Sequence, residues 1–344
     1  MSYRFKLNET VAAGASRIAL EQIEIAEARL TSREDTAAAI HDARRCLKRL
    51  RALLRLIRPA LAETIFRREA NRLAGIGRLL ADARDRHVLE QTLAKIDTRF
   101  GTLPKSVGAK LTKLMANGGG ARGTRASAQE RRQALEGLDA ARKFFARIGR
   151  REIGFEHLAA GVERSYRKAR RTFRKAYENG TDEAFHEWRK TVQQHWRHMQ
   201  LISRAWPDVL SGRAGEAKEL SRLLGDDHDI HVLLILTADR GKSVLSAGEI
   251  DALTAMCRSV QGELRQQAKP RGARLFAEPA SNLRERMILY WSAARDLSAL
   301  APRAENGEKA RPRAPKAVPN RRRPAAQAAA SRGSPPSAAR RAGR

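Results

Sequence analysis

Six basic side chains recur along one predicted helix at steps of three and four residues. They are His41, Arg44, Lys48, Arg51, Arg55 and Arg58. At about 100° per residue, they fall within one face roughly 100° wide. Like charges at these spacings destabilise a helix by roughly 0.2–0.5 kcal/mol per pair, and no Glu is interleaved to offset this cost. A solvated charged face is the alternative interpretation, but the row favours an anion that neutralises it.

The residue types in this row suit phosphate. The planar guanidinium of arginine donates paired hydrogen bonds to phosphate oxygens, whereas a lysine ammonium acts as a mobile point charge. A nearby anion would raise the pKa of His41 and favour its charged, donating form, although a first-turn histidine bonded to a carboxylate is an equal alternative. A long cationic row fits a chain of phosphates better than one small anion. Affinity for such a chain should fall steeply with salt.

The same helix carries an apolar face beside the basic row. Leu47, Leu50, Leu54 and Ile57 lie at roughly 160–240° from His41 around the helix. These side chains are expected to pack inward, which would leave the basic row at the edge of the core.

An internal repeat extends this pattern to the second half of the chain. Three segments, which begin at Val11, Ala39 and Leu79, reappear 147, 145 and 144 residues later in the same order. Since one short match would mean little in a chain rich in Ala and Arg, the agreement in order and spacing is the informative part. The core is predicted to consist of two similar helical halves, about residues 1–150 and 151–301.

The repeat predicts a second set of anion-binding residues. The face that corresponds to the first row carries His186, Arg189, Lys190 and Arg197. The helix before it repeats arginine at steps of three and four, with Arg164, Arg167 and Arg171. Because the second row is thinner in charge, these arginines are expected to supplement it.

Composition supports an all-α fold with an acidic partner. The chain has 68 Lys and Arg against 38 Asp and Glu, a formal net charge of +30, and only 5% aromatic residues. Residues 302–344 hold 7 of the 12 prolines and a net charge of +10, and this tail is predicted to be disordered. The remaining +20 belongs to the helical part. Nucleic acid, an anionic membrane and polyphosphate all remain possible partners at this level.

Signatures of catalysis are absent from the sequence. There is no glycine-rich phosphate loop, no nucleophile elbow and no carboxylate cluster suited to magnesium, so the chain is predicted not to be an enzyme and to need no metal or cofactor. His195 and His198 differ in direction by about 60° and make a weak metal pair. Asp85 and Asp229 lie between apolar helical patterns and are interpreted as helix-start residues.

The sequence also allows a prediction of the cellular compartment. Cys46 and Cys257 lack the spacing of a disulfide framework or a metal site, and no segment has the length and apolar character of a membrane span. The residues after Met1 do not resemble a secretory signal. A cytoplasmic protein is expected.

The paired motifs resemble the CHAD family of histidine-containing helical domains. The resemblance rests on the two His-x-x-Arg-[Arg/Lys] helix starts at His41 and His186, and on the two Leu-Leu-x-x-x-[Arg/His]-Asp-x-x-Val segments at Leu79 and Leu223. It covers about residues 1–300. It implies two pseudo-symmetric helical bundles around a basic cavity or groove, and binding of inorganic polyphosphate, often at bacterial polyphosphate granules. The second row departs from the usual Lys and Arg-Tyr of the family, with Gln193 and Trp196 in their place.

Carried over by motif, the resemblance assigns polyphosphate contacts to residues of both halves. They are His41, Arg44, Lys48, Arg51 and Arg55, then His186, Arg189, Lys190 and Arg197, with Arg164, Arg167 and Arg171 on the preceding helix. Two other functions remain open. The basic tail could bind nucleic acid nonspecifically, although few aromatic residues are present for base stacking. The third possible function, after polyphosphate binding and nucleic-acid binding, is that of a phosphatase or phosphotransfer enzyme.

Overall fold

The described structure is entirely helical. The computed structural model describes residues 3–32, 37–80, 92, 94, 107–111 and 127–300, and within these residues there is no strand. The predicted all-α fold is confirmed for this part of the chain. Residues 302–344, which were predicted to be disordered, lie outside the described residues, as does Asp85.

Four long helices lie in the described part of the first half. They are α1 (Val11–Thr31), α2 (Ala37–Leu56), α3 (Glu63–Leu79) and α4 (Ala128–Ile148), with a 3-10 turn at Arg58–Ala60. Thr10 begins α1 by accepting a hydrogen bond from the amide of Ala13 at 3.2 Å. Ser127 and Glu130 form a capping box at the start of α4. Each device satisfies amide groups that the first helical turn would otherwise leave unpaired.

The second half contributes five helices. They are α5 (Phe155–Asn179), α6 (Asp182–Leu201), α7 (Pro207–Arg240), α8 (Ala247–Leu275) and α9 (Ala280–Leu300), with 3-10 turns at Ser203–Ala205 and Gly241–Ser243. Gly180 ends α5 at a φ of 69°, a left-handed conformation that glycine adopts without strain. Thr181 then begins α6 by accepting from the amide of Ala184.

The order of elements repeats along the chain. In each half, two long helices are followed by a 3-10 turn and a third helix, and the turns at Arg58–Ala60 and Ser203–Ala205 occupy corresponding places. The sequence repeat therefore corresponds to a repeated order of secondary structure. It makes α2 and α6 the equivalent helices of the two halves.

The halves share one hydrophobic core and meet at α2. This helix packs against both α5 and α6, and its predicted inward face, Leu47, Leu50, Leu54 and Ile57, is buried. The closest approach is at Gly161 of α5, where an added Cβ atom would lie 2.0 Å from the carbonyl oxygen of Leu56. Only glycine allows the two backbones to come this near.

The two histidines considered as a metal pair are core residues that join elements. His198 is fully buried, with Nδ1 2.9 Å from Ser165 Oγ on α5 and Nε2 3.0 Å from the carbonyl oxygen of Ala52 on α2. The Nε2 of His195 accepts a hydrogen bond of 3.3 Å from Arg213 Nε. Burial lowers the pKa of His198 to about 3, so the ring is neutral at pH 7.

The contact at Gly161 gives the first prediction. Gly161→Ala places a methyl group against the Leu56 carbonyl, and we expect the free energy of unfolding to fall by about 1–3 kcal/mol because the backbones of α2 and α5 must separate. Chemical denaturation followed by circular dichroism measures this change. The matched control is Gly262→Ala in α8, where nothing lies within 4 Å of the added Cβ atom.

Gly262→Ala should leave stability unchanged or raise it by about 0.5–1 kcal/mol, since alanine is the better helix former. Equal effects of the two substitutions would show that the close approach of α2 and α5 is not needed.

Candidate anion-binding site

A cavity of about 570 Å³ lies between the equivalent helices of the two halves. Its wall is formed by α2, α6 and α7, and one residue of α5 also reaches it. Eight cationic side chains line it: Arg44, Lys48, Arg51, Arg55, Lys168, Arg189, Lys190 and Arg197. The lining carboxylates are Glu187 and Asp229, and Glu187 already pairs with Lys190 at 2.5 Å. The cavity therefore concentrates positive charge from both halves.

The α2 row reaches the cavity because of the apolar residues beside it. Arg44, Lys48, Arg51 and Arg55 are all half-buried and line the cavity wall. The adjoining leucines are held in the core, and this fixes the rotation of the helix. The basic row is therefore turned toward the second half.

These cations are held at an electrostatic cost. Burial, together with repulsion from Arg51 and Arg58, lowers the pKa of Arg55 to about 10. The pKa of Arg51 is also lowered, first by burial and then by Arg78. A lowered pKa means that the charged form is less stable here than in water, and an anion in the cavity would reverse that.

On the other wall, Arg197 is the most deeply placed cation. Its side chain is 8% exposed, its Nη1 donates to the Gln193 carbonyl at 2.9 Å, and its guanidinium lies 4.8 Å from the centre of the Trp196 ring. Burial lowers its pKa to about 10; Tyr3 opposes this shift, whereas repulsion from Arg49 and Arg189 adds to it.

Comparison with known protein families identifies the chain. The model of the CHAD domain matches residues 15–238, more than half of the sequence. The chain belongs to the CHAD family. A comparison with curated proteins found no match.

Two histidines of this CHAD domain face each other at the cavity. The ring centres of His186 on α6 and His228 on α7 lie 4.1 Å apart, and the Nδ1 atoms of both are buried without a hydrogen-bond partner in the described structure. Burial, followed by repulsion from Arg189 and His186, lowers the pKa of His228 to about 3. Burial, Lys190 and Arg189 likewise lower the pKa of His186. Both rings are neutral at pH 7, and an anion nearby would raise their pKa values.

The interpretation of Asp229 as a helix-start residue is wrong. Asp229 and His228 lie well inside α7, which runs without a break from Pro207 to Arg240. The buried face of α7 continues through this point, since Leu224 and Ile230 lie in the core and Asp227 between them is also buried. The aspartate therefore caps no helix, and it lines the cavity together with His228.

Behind the histidines, an ionic network joins α6, α7 and α8. Asp182 at the start of α6 pairs with Arg258 at 2.8 Å, with Arg265, and with His231 Nδ1 at 2.8 Å. Arg265 also pairs with Asp227 at 2.7 Å. Although burial alone would raise it, hydrogen bonds from Arg258 and Arg265 lower the pKa of Asp182 to about 2. Sequence reasoning did not find this network, because its members are distant along the chain.

Eight of the twelve predicted site residues line the cavity. They are Arg44, Lys48, Arg51, Arg55, His186, Arg189, Lys190 and Arg197. His41 is exposed and is not part of the lining. Arg58, the last member of the predicted row, has an acidic partner that lies on α3, Glu63 at 2.9 Å. Glu63 is not interleaved in the row, so the spacing of the row did not reveal this partner.

The three arginines predicted on α5 do not reach the cavity. Arg164, Arg167 and Arg171 are exposed, and Arg167 pairs with Glu163. Their directions lie roughly 130–170° from the centre of the buried face of α5, whereas Lys168 lies at about 90° and lines the cavity. The helical pattern of the buried residues could have identified Lys168 as the α5 residue of the site.

Two further properties of the described residues bear on the type of site. No group of three or more His, Cys, Asp or Glu side chains among them could hold a metal ion. Within the same residues, no helix has both the length and the apolar character needed to cross a bilayer. Cys46 and Cys257 are buried free thiols.

The cost of the buried charge gives the second prediction. Arg55→Met should raise the free energy of unfolding of the unliganded protein by about 1 kcal/mol, because it removes a half-buried cation that is repelled by its neighbours and keeps the apolar stem. Thermal and chemical denaturation measure the change.

The matched control for this substitution is Arg164→Met on the exposed side of α5, which should change stability by less than about 0.5 kcal/mol. A clear loss of stability in Arg55→Met would contradict the account of this row as electrostatically costly.

Proposed function

We propose that this CHAD protein binds inorganic polyphosphate in the cavity between α2, α6 and α7. The observation that supports the proposal most is the convergence of eight cations from both halves on one cavity, with two carboxylates among the described residues of its wall. A phosphate chain carries about one negative charge for each phosphate and can follow such a wall along its length. Each contact replaces cation repulsion with attraction, so binding a polymer relieves the cost that the unliganded site carries.

The shape of the site favours a flexible chain over duplex DNA. A cavity of about 570 Å³ lined by helices α2, α6 and α7 is a concave site that a flexible chain can enter. Duplex DNA presents its phosphates on the outside of a stiff rod whose major groove alone is about 12 Å wide, and it meets a concave wall poorly. Nonspecific nucleic-acid binding is therefore the second candidate function, and the charge of +10 on residues 302–344 is what favours it.

Binding without turnover is part of the proposal. Guanidinium and ammonium groups hold phosphate oxygens, but they supply no base to activate water at pH 7. Glu187, one candidate base, is already paired with Lys190. The neutral rings of His186 and His228 are weak bases, because their pKa values are lowered. A protein of this kind would be cytoplasmic and would associate with polyphosphate granules in bacterial cells that store the polymer.

The cavity arginines give the third prediction. Replacing both Arg51 and Arg55 by Gln should weaken binding of long-chain polyphosphate by about 100-fold, since each charge-assisted contact contributes roughly 1.5–3 kcal/mol and part of this is recovered by relief of repulsion. Calorimetric titration at several salt concentrations measures the affinity, and the variant should also show a shallower salt dependence.

The matched control is the double variant Arg164→Gln and Arg171→Gln, which removes the same charge from the exposed side of α5. It should bind within about threefold of the original protein, since its contribution is screened at physiological salt. Equal losses in both variants, or displacement of polyphosphate by duplex DNA at equal phosphate concentration, would favour nonspecific binding. Sustained phosphate release with added Mg²⁺ would contradict binding without turnover.

The two cavity histidines give the fourth prediction. Polyphosphate should raise the pKa values of His186 and His228, which are lowered in the unliganded protein, so binding takes up protons. Affinity should therefore increase as the pH falls below the pKa values that the two histidines have in the complex. The increase should level off only below their pKa values in the free protein, which for His228 is about 3. Titrations in two buffers with different ionisation enthalpies count the protons.

The control for proton uptake is His157→Asn, since His157 lies at the start of α5 and outside the cavity lining. His186→Asn should reduce the uptake, whereas His157→Asn should leave it unchanged. Proton uptake that is identical in the two variants would show that His186 does not contact the anion.

A further inference from the structure

A second cavity of about 530 Å³ opens beside the other face of α6. Trp196 and Gln200 of α6 line it, together with Tyr3 and Arg4 from the segment before α1. Arg49 of α2 and Lys218 of α7 complete the charged part of its wall. None of these residues lines the first cavity, so the second is a separate site.

The charge of this cavity is uncompensated in the described structure. Its lining contains three cations, Arg4, Arg49 and Lys218, and no carboxylate. None of the three forms an ion pair with a described residue. The acidic residues next to Lys218 on α7 have other partners: Glu216 pairs with Arg271 at 2.7 Å, and Glu219 pairs with Arg222 at 3.0 Å.

The guanidinium of Arg49 is held in a fixed position by Gln22 and Tyr3. Its Nη1 donates to Gln22 Oε1 at 3.0 Å, and its guanidinium lies 5.1 Å from the centre of the Tyr3 ring. The Tyr3 hydroxyl in turn donates to the Arg49 carbonyl at 2.8 Å. A guanidinium has five N–H donors, so the contact with Gln22 leaves most of them for a ligand. Holding the side chain in advance reduces the entropy that binding must remove.

The rest of the wall is rich in hydrogen-bonding groups. Ser203 from the 3-10 turn and Ser211 from α7 add hydroxyls, and Gln200 adds an amide. Hydroxyl and amide groups can donate to phosphate oxygens without adding charge. The volume lies within the range of roughly 300–1,000 Å³ that is usual for small-ligand sites.

We propose that this second cavity binds a compact oligophosphate group of two or three phosphates, either as free oligophosphate or as the phosphate end of a nucleoside triphosphate. Three cations from three separate segments match the charge of such a group, whereas the eight cations of the first cavity match a longer chain. The inference does not rest on polyphosphate binding in the first cavity, because the two sites share no lining residue.

The test uses Lys218→Glu in the full chain. Lys218 is exposed on α7, so its replacement should not disturb folding. The control is Lys242→Glu, an exposed lysine in the 3-10 turn after α7 that lines neither cavity. Both variants are combined with Arg51→Gln and Arg55→Gln, which weaken the first cavity, and each protein is titrated calorimetrically with sodium tripolyphosphate and with ATP.

In the Arg51→Gln, Arg55→Gln background we expect one remaining site for tripolyphosphate. Lys218→Glu should weaken it at least tenfold, whereas Lys242→Glu should change it by less than threefold. Binding should also alter the fluorescence of Trp196, a change that Trp196→Phe removes. Tighter binding of ATP than of tripolyphosphate would identify a nucleoside triphosphate as the source of the group, and weaker binding would identify free oligophosphate.

The absence of tripolyphosphate and ATP binding in this background, or equal effects of Lys218→Glu and Lys242→Glu, would overturn the inference. If polyphosphate does not bind in the first cavity, the titrations give a different result. In that case long-chain polyphosphate binds no better to the original protein than to the Arg51→Gln, Arg55→Gln variant, while the site that is sensitive to Lys218→Glu remains.

Discussion

Repulsion among half-buried cations is the constraint around which this molecule is built. Arg51, Arg55 and Arg197 are each withdrawn from water and placed near other cations, and their lowered pKa values express the cost. A folded chain tolerates such an arrangement only if other contacts hold the helices in position. On α2 these contacts are made by the buried leucines on the adjoining face, so hydrophobic packing stabilises the charged row.

The distribution of carboxylates follows from the same constraint. Acidic residues near the cavity could neutralise its cations, but most of them are engaged elsewhere. Asp182 and Asp227 pair with Arg258 and Arg265 behind the histidines, and this network joins three helices of the second half. The network thus has two effects: it fixes α6 and α7, which carry His186 and His228, and it compensates the charges of Asp182 and Asp227 with arginines that do not line the cavity.

The sequence predicts the site well where one helix contains all the information. The row on α2 follows from a single periodic pattern, because its buried leucines and its cations are interleaved within twenty residues. The prediction for α5 fails because spacing alone was considered. Arg164, Arg167 and Arg171 share a face, but that face lies opposite the buried residues Val162, Ser165 and Ala169.

Features that depend on contacts between distant segments were not predictable in this way. Asp229 was interpreted as a helix start because it lies between two apolar helical patterns, although tertiary packing keeps α7 continuous through His228 and Asp229. The ion pairs of Asp182 and the second cavity join residues that are far apart in the chain. Local periodicity contains no information about such partners.

The close contact between the halves explains how two ordinary amphipathic helices become one site. Gly161 lets α5 approach the end of α2, and His198 joins the Ala52 carbonyl of α2 to Ser165 of α5 from its place on α6. Ala52 itself lines the cavity, so this buried contact lies directly beneath the cations. The neutral ring of His198 donates from Nε2 to the Ala52 carbonyl and can accept at Nδ1 from the Ser165 hydroxyl, without adding charge to a region that already has an excess. A protonated side chain at this place would increase the repulsion, and an aliphatic one would lose the hydrogen bonds that join α6 to α2 and α5. A neutral histidine therefore satisfies both the packing between the halves and the electrostatics of the wall above it.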